Sequence, residues 1–159
     1  MGTCFKKMAS PTGTLTLIAS EKGLRAVLWN HDPAKSSIDR GVEDPSHPVL
    51  LEAEKQLNEY FAKKRKTFSL ELDFVGSDFQ IQVWEAMLTI PFGETRSYAE
   101  IARQLGRPTA FRAVGAANGK NPISIVAPCH RVIGTNGALT GFAGGLEGKA
   151  FLLELEGAA

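Results

Sequence analysis

Cysteine is scarce. The 159 residues hold two, Cys4 and Cys129, too few for a disulfide framework and in no metal-binding spacing. Histidine is equally sparse: His31, His47 and His130 are scattered, so no metal ligand set can be read and no metal or soluble cofactor is expected. There is no low-complexity tract, and the one block of like charge is Lys63-Lys64-Arg65-Lys66. No apolar run approaches the length of a membrane span, and residues 1–10, with two lysines, lack the apolar core of a signal peptide. A cytoplasmic protein with no membrane partner is expected.

A formal net charge of +1 argues against a general polyanion binder, but the charges are unevenly placed. Between residues 96 and 131 stand Arg96, Arg103, Arg107, Arg112, Lys120 and Arg131, against the single acid Glu100. Balancing acids fall near the end, at Glu147, Glu154 and Glu156. This pattern suits either a face that meets phosphates or a solvated helix face.

The first half reads as a small α/β unit. Thr14 to Ala19 alternate as a strand, Glu21-Lys22-Gly23 supplies a turn, and a second strand follows over 24–29. Residues 31–48, rich in Asp, Ser and Pro, read as a loop. Pro48 opens a helix with Leu50, Ala53, Leu57, Tyr60 and Phe61 at helical spacing. Alternation of Phe68, Leu70, Leu72 and Phe74 predicts a third strand. Gly76-Ser77-Asp78 marks the expected boundary between domains 1–76 and 77–159.

In the second half Asp78 is expected to cap a helix over 79–89. Ser97, with Glu100 three residues on, predicts a capping box for a helix over 98–105. Gly106-Arg107-Pro108 breaks it, and Thr109 starts another helix reaching to about 118. Two short helices around a tight turn make a helix-turn-helix pattern. The second is almost bare on one side, through Ala110, Ala113, Gly115 and Ala116, with Arg112 standing out. Such a helix either approaches a backbone or narrow groove closely or packs tightly on a core, and it carries few base-reading side chains.

The most informative stretch is Asn121-Pro122-Ile123-Ser124-Ile125-Val126-Ala127-Pro128-Cys129-His130-Arg131-Val132. A cysteine in an apolar run is often inert packing. Here imidazole and guanidinium follow it, a setting expected to lower the thiol pKa of an exposed, ionisable sulfur. An adjacent histidine on an extended segment points away from its neighbour, which disfavours a direct peptidase-type dyad and leaves action through one water.

Pro128-Cys129-His130-Arg131-Val132 resembles the active-site signature of the methylated-DNA–protein-cysteine methyltransferases, also called O6-alkylguanine-DNA alkyltransferases. The likeness runs in order through Phe79-Gln80-Ile81-Gln82-Val83-Trp84, Ile90-Pro91-Phe92-Gly93-Glu94, Ser97-Tyr98, Arg112-Ala113-Val114-Gly115, Asn121-Pro122 and Gly141-Phe142-Ala143-Gly144-Gly145-Leu146. The first half resembles the family only in length, position and α/β character. The implied fold is an α/β N-terminal domain with a ribonuclease-H-like sheet, then a mainly α winged helix-turn-helix domain.

The resemblance implies irreversible transfer of an alkyl group from O6-alkylguanine in duplex DNA to Cys129, with O4-alkylthymine as a second candidate substrate. His130 would be a water-mediated base, Glu156 would orient it, and Tyr98 would donate a proton to the departing guanine. Carbonyls of Cys129 and Val132 and the amide of Ala143 would recognise a base flipped through the minor groove. Phe142 and Lys149 would complete that pocket, and Asn121 would brace the turn presenting the cysteine. Arg112 would fill the gap in the stack, on a DNA-facing helix with Thr109, Ala113, Gly115 and Ala116.

The partner would be double-stranded DNA containing alkylated guanine, met by a protein monomeric in its absence. Phe142 stands where many members have tyrosine, Ala143 where some have serine, and Ser124 where some have proline. Zinc ligands found in the first domain of some members are missing. Other readings of the same residues are a non-catalytic damage-binding module, which would lack the acceptor cysteine, a winged-helix regulator, which would carry more base-reading side chains, and a cysteine hydrolase, which would turn over.

Overall fold

The computed structural model describes residues 2–30, 38–134 and 145–158. The chain divides into two compact units, Met1–Val75 and Gly76–Ala159.

The first unit is built on strands β1 (Cys4–Met8), β2 (Leu15–Ser20), β3 (Gly23–Trp29) and β4 (Val42–Glu43), in the order β3-β2-β1-β4. Neighbours are antiparallel except β1 and β4, which run parallel. Alternation places Leu15 and Leu17 on one face of β2 and Thr16 and Ile18 on the other, yet all are buried because both faces are covered. Helix α1 (Pro48–Phe61) packs against β2 and β3. It buries Leu50, Ala53, Leu57 and Tyr60, with Pro48 in its first turn and the His47 ring accepting from the Val49 N–H. Ile18, Ala26 and Leu28 form a separate cluster with the partly buried Phe5 and Ile38.

Two expectations change here. Residues 4–8 form a strand that their two lysines disguise. The segment with Phe68, Leu70, Leu72 and Phe74 is not a strand but extended chain with one bridge, Leu72 to Leu24. The Gln56 side chain takes the place of a strand partner, accepting from the Ser69 N–H at 2.9 Å and donating to the Ser69 carbonyl at 3.2 Å.

The second unit carries helices α2 (Asp78–Met87), α3 (Tyr98–Gln104), α4 (Phe111–Gly119) and α5 (Gly145–Leu155), with short parallel strands β5 (Arg96–Ser97) and β6 (Val132–Ile133). Ser77, not Asp78, caps α2, in a capping box with Gln80. Asp78 instead occupies the first turn, where its charge faces the positive end of the helix dipole. Ser97 and Glu100 form the capping box of α3. That helix ends in a Schellman turn: Gly106 takes φ 74, and the N–H groups of Gly106 and Arg107 bond back to the carbonyls of Arg103 and Ala102.

Helix α4 begins at Phe111, and its N-cap Ala110 offers no side-chain bond. It packs against α2 and α3 through Val114, Ala117 and Asn118, and the Trp84 indole donates to the Ala117 carbonyl at 2.9 Å. Among the described residues no helix is long and apolar enough to cross a membrane.

Candidate active site

Cys129 opens a 3-10 turn, Cys129–Arg131, that leads into β6. Before it the chain makes a strained bend. Ile125 sits at φ 73, a left-handed conformation costly for a β-branched residue. Asn121 holds the bend closed: its Oδ1 accepts from the Ile123 N–H at 3.0 Å and its Nδ2 donates to the Ala127 carbonyl at 2.9 Å. Asn118 reaches the Cys129 carbonyl at 3.4 Å. Asn121 thus closes the bend that precedes the cysteine turn.

Cys129 is 2% exposed, which corrects the expectation of an exposed sulfur. The expected pKa setting changes too. Burial pushes the thiol up, while the side chain of Asn121, the charge of Lys149 and the side chain of Ser124 pull the other way. His130 and Arg131 are not among the groups that lower it, because they turn into a network of their own.

That network is centred on Glu156. Its Oε2 lies 2.7 Å from His130 Nε2, and Arg131 donates to both carboxylate oxygens, from Nε at 2.8 Å and Nη2 at 3.0 Å. Arg131 Nη1 donates to the Ile90 carbonyl at 2.7 Å. A carboxylate held by a guanidinium accepts only, so Nε2 carries the imidazole proton and Nδ1 offers its lone pair. Nδ1 is buried and has no hydrogen-bond partner among the described residues. Burial lowers the imidazole pKa and outweighs the opposing pull of Glu156, keeping the ring neutral and able to accept a proton.

Glu156 is thus a buried partner rather than solvated charge. Arg131, counted among the phosphate-facing bases, is buried against it and leaves that set; its part in the site was missed because its partner lies 25 residues away.

Helix α5 explains the convergence. Lys149, Leu152, Leu153 and Glu156 follow helical spacing on one buried stripe. The chain leaves the helix at Glu156 because Gly157 takes φ 77, with the N–H groups of Gly157 and Ala158 bonding back to Glu154 and Leu153. At the other end of the stripe Lys149 is fully buried and donates from Nζ to the Val132 carbonyl at 2.6 Å. Burial pushes its pKa down to about 8, against the upward pull of Cys129. The Val132 carbonyl, expected to meet a base, is here the acceptor of this lysine.

Tyr98 is half-buried at the start of α3, its ring 3.9 Å from where a side chain on Gly115 would begin. Thr109, Arg112, Ala113 and Ala116 are exposed, and Gly115 is partly so. The bare side of α4 therefore faces outward and does not pack on a core. Phe142 and Ala143 lie outside the described residues. Among the described residues no group of three His, Cys, Asp or Glu side chains could hold a metal ion.

Comparison with known proteins covers both units. Residues 4–74 match the model for the 6-O-methylguanine DNA methyltransferase ribonuclease-like domain, and residues 78–158 match the DNA-binding domain of the same family. A methylated-DNA–protein-cysteine methyltransferase of Mycobacterium tuberculosis (strain ATCC 25618 / H37Rv) is 49% identical over 155 residues, covering 96% of this chain and 91% of the relative. One from Methanosarcina acetivorans is 49% identical over 149 residues, covering 93% and 94%. The crystal structure of Mycobacterium tuberculosis OGT in complex with DNA superposes with a TM-score of 0.89 at 48% identity, covering 98% of this chain and 93% of that one. The two-part architecture, a sheet domain followed by a helical one, is that of these relatives. The chain belongs to the 6-O-methylguanine DNA methyltransferase family.

Proposed function

We propose that this protein removes an alkyl group from O6 of a damaged guanine in duplex DNA and keeps it on the sulfur of Cys129. The observation that carries this reading is the imidazole of the residue after that cysteine, buried, neutral and held by Glu156, itself gripped by Arg131, with its Nδ1 lone pair unused among the described residues. In this reading His130 takes the thiol proton through one water, and the thiolate attacks the alkyl carbon in line. The S–C bond forms as the C–O6 bond breaks. Tyr98 protonates the departing guanine and is reprotonated by the proton the thiol lost. Protein thiol and O6-alkylguanine give protein thioether and guanine. The thioether resists hydrolysis, so each molecule acts once.

A thiol held up by burial reacts poorly until it is deprotonated, and Lys149 supplies the positive charge that favours the thiolate. The base must leave the stack to reach Cys129. Arg112, on the exposed bare side of α4, is suited to fill the gap from the minor groove, with Thr109, Ala113, Gly115 and Ala116 against the DNA. The basic face that remains once Arg131 is withdrawn, with Arg103, Arg107, Arg112 and Lys120 exposed, supplies salt-sensitive affinity without sequence choice. Phe142, Ala143 and the Cys129 and Val132 carbonyls complete the base pocket, Lys149 turning from Val132 as the base enters. The same chemistry extends to O4-alkylthymine.

The reading also places a ribonuclease-H-like domain over residues 1–76 and a winged helix-turn-helix domain over 77–159, with α3 and α4 as its helix pair. It further makes the protein cytoplasmic and monomeric without DNA.

Mixing the protein with a duplex holding one O6-methylguanine tests the proposal by intact mass. Each chain should gain one methyl in place of one hydrogen and no more. Cys129→Ala should gain none while still binding the duplex. Tight lesion binding with no mass change would reject the reading in favour of a damage-binding module.

A further inference from the structure

Phe111 is 45% exposed at the first position of α4, although that helix buries Val114, Ala117 and Asn118. At about 100° per residue its side chain falls on the edge of the buried stripe, between Asn118 and Gly115, with Arg112 about 100° further round on the outer side. Helical side chains lean toward the N-terminus, so an aromatic ring in the first turn overhangs the helix end instead of covering its neighbours. One turn on, Gly115 presents no side chain, and the Tyr98 ring stands beside the gap. Phe111, the bare Gly115 and Tyr98 thus follow one edge of α4, the edge nearest the phenol assigned to proton donation.

The surroundings select the occupant. Arg103 on α3, Arg107 in the turn after it, Arg112 on α4 and Lys120 just past its end are exposed, and the first turn of α4 holds no acid. An exposed apolar ring with an exposed arginine, Arg112, at the next position complements a nucleic acid, which offers phosphates at its rim and flat apolar faces within. Apolar side chains pressed into the minor groove unstack base steps, and aromatic contact with bases is indifferent to sequence because every base has a π-face.

We propose that Phe111 is a positioning residue for the reaction, packing against the sugar and base edge next to the everted nucleotide. It holds the groove open while Arg112 fills the vacated stack. The proposal rests on the reading of the site given above.

Phe111→Ala, Phe111→Leu and the unsubstituted protein are compared by three measurements. These are equilibrium binding to undamaged duplex across a salt series, single-turnover methyl transfer from damaged duplex, and transfer from a free O6-alkylguanine base. Phe111→Ala should weaken duplex binding about tenfold. It should leave the salt slope unchanged, since no phosphate contact is lost, and slow transfer from duplex but not from the free base. Phe111→Leu should recover most of the loss.

Duplex binding by Phe111→Ala within about twofold of the unsubstituted protein, against stacking losses of the expected size, overturns the proposal. An equal loss on the free base also overturns it, by marking Phe111 as support for the site itself. If the unsubstituted protein took up no methyl group, the reading of the site would fall, and binding to undamaged duplex would still decide the role of Phe111.

Discussion

His130 and Glu156 meet at 2.7 Å, Nε2 to Oε2, with both side chains buried. The contact fixes the tautomer and leaves Nδ1 as the acceptor, so the base in the proposed chemistry depends on a carboxylate 26 residues away.

Removing that carboxylate's charge should damage both stability and rate. Glu156→Gln leaves Arg131 buried without its anion and should cost about 3–5 kcal/mol, read by urea denaturation. Single-turnover transfer should slow in the same variant, because a glutamine carbonyl holds the imidazole less firmly. Unchanged stability would mean that the Arg131–Glu156 pair contributes nothing.

Acid should weaken the fold through His130. Its folded-state pKa is lowered by burial, so the unfolded chain takes a proton first as pH falls through about 6.5. Stability is fully present above that value and declines below it, by up to about 1.4 kcal/mol per pH unit for the one proton. Unfolding free energies between pH 7.5 and 5.5 check this. His130→Gln should show a shallower decline, and an identical slope would contradict the assignment.

Asn121→Ala should cost about 1–3 kcal/mol, since it leaves the Ile123 N–H buried and unpaired and takes from the Ala127 carbonyl one of its two donors, the Cys129 N–H remaining. Ile125 would lose what holds its left-handed backbone, and Cys129 would lose its fixed position. Chemical denaturation and transfer rate should therefore fall together. A loss of stability with full transfer rate would show that the bend does not position the sulfur.

Lys149→Met separates function from stability. With its pKa near 8, Lys149 is mostly charged at neutral pH and favours the thiolate. Its replacement should move the pH profile of transfer upward, with about tenfold lower rate at pH 7 for each unit of thiol shift. Stability should change little, because relief of a buried ammonium offsets the donor lost to the Val132 carbonyl. A profile unmoved by the substitution would remove Lys149 from the chemistry.

Local signals were read well where one residue and its near neighbours decide the outcome. The Ser97–Glu100 capping box, Pro48 at the start of α1 and the Gly106 stop all follow from backbone donors that must be satisfied within a turn. Ser77 displaced Asp78 as the cap of α2 because Gln80 completes the box with Ser77.

Failures came where a distant partner decides. Gln56 replaces a strand neighbour for Ser69, so alternation over 68–74 misled. Arg131 looked like a DNA-facing base until Glu156 claimed it. The helical spacing of Lys149, Leu152, Leu153 and Glu156 went unread, and burial of its two charged ends rests on partners at Val132, His130 and Arg131. Family likeness supplied the roles; the geometry supplies the reason that His130 is neutral, buried with Glu156 on its Nε2.

The most direct measurement is peptide mapping by tandem mass spectrometry after reaction with a duplex containing O6-methylguanine. The account predicts a single S-methylcysteine, at Cys129, in stoichiometric yield, with Cys4 unmodified. Methyl on Cys4 or another residue, or guanine released repeatedly while Cys129 stays a free thiol, would contradict it.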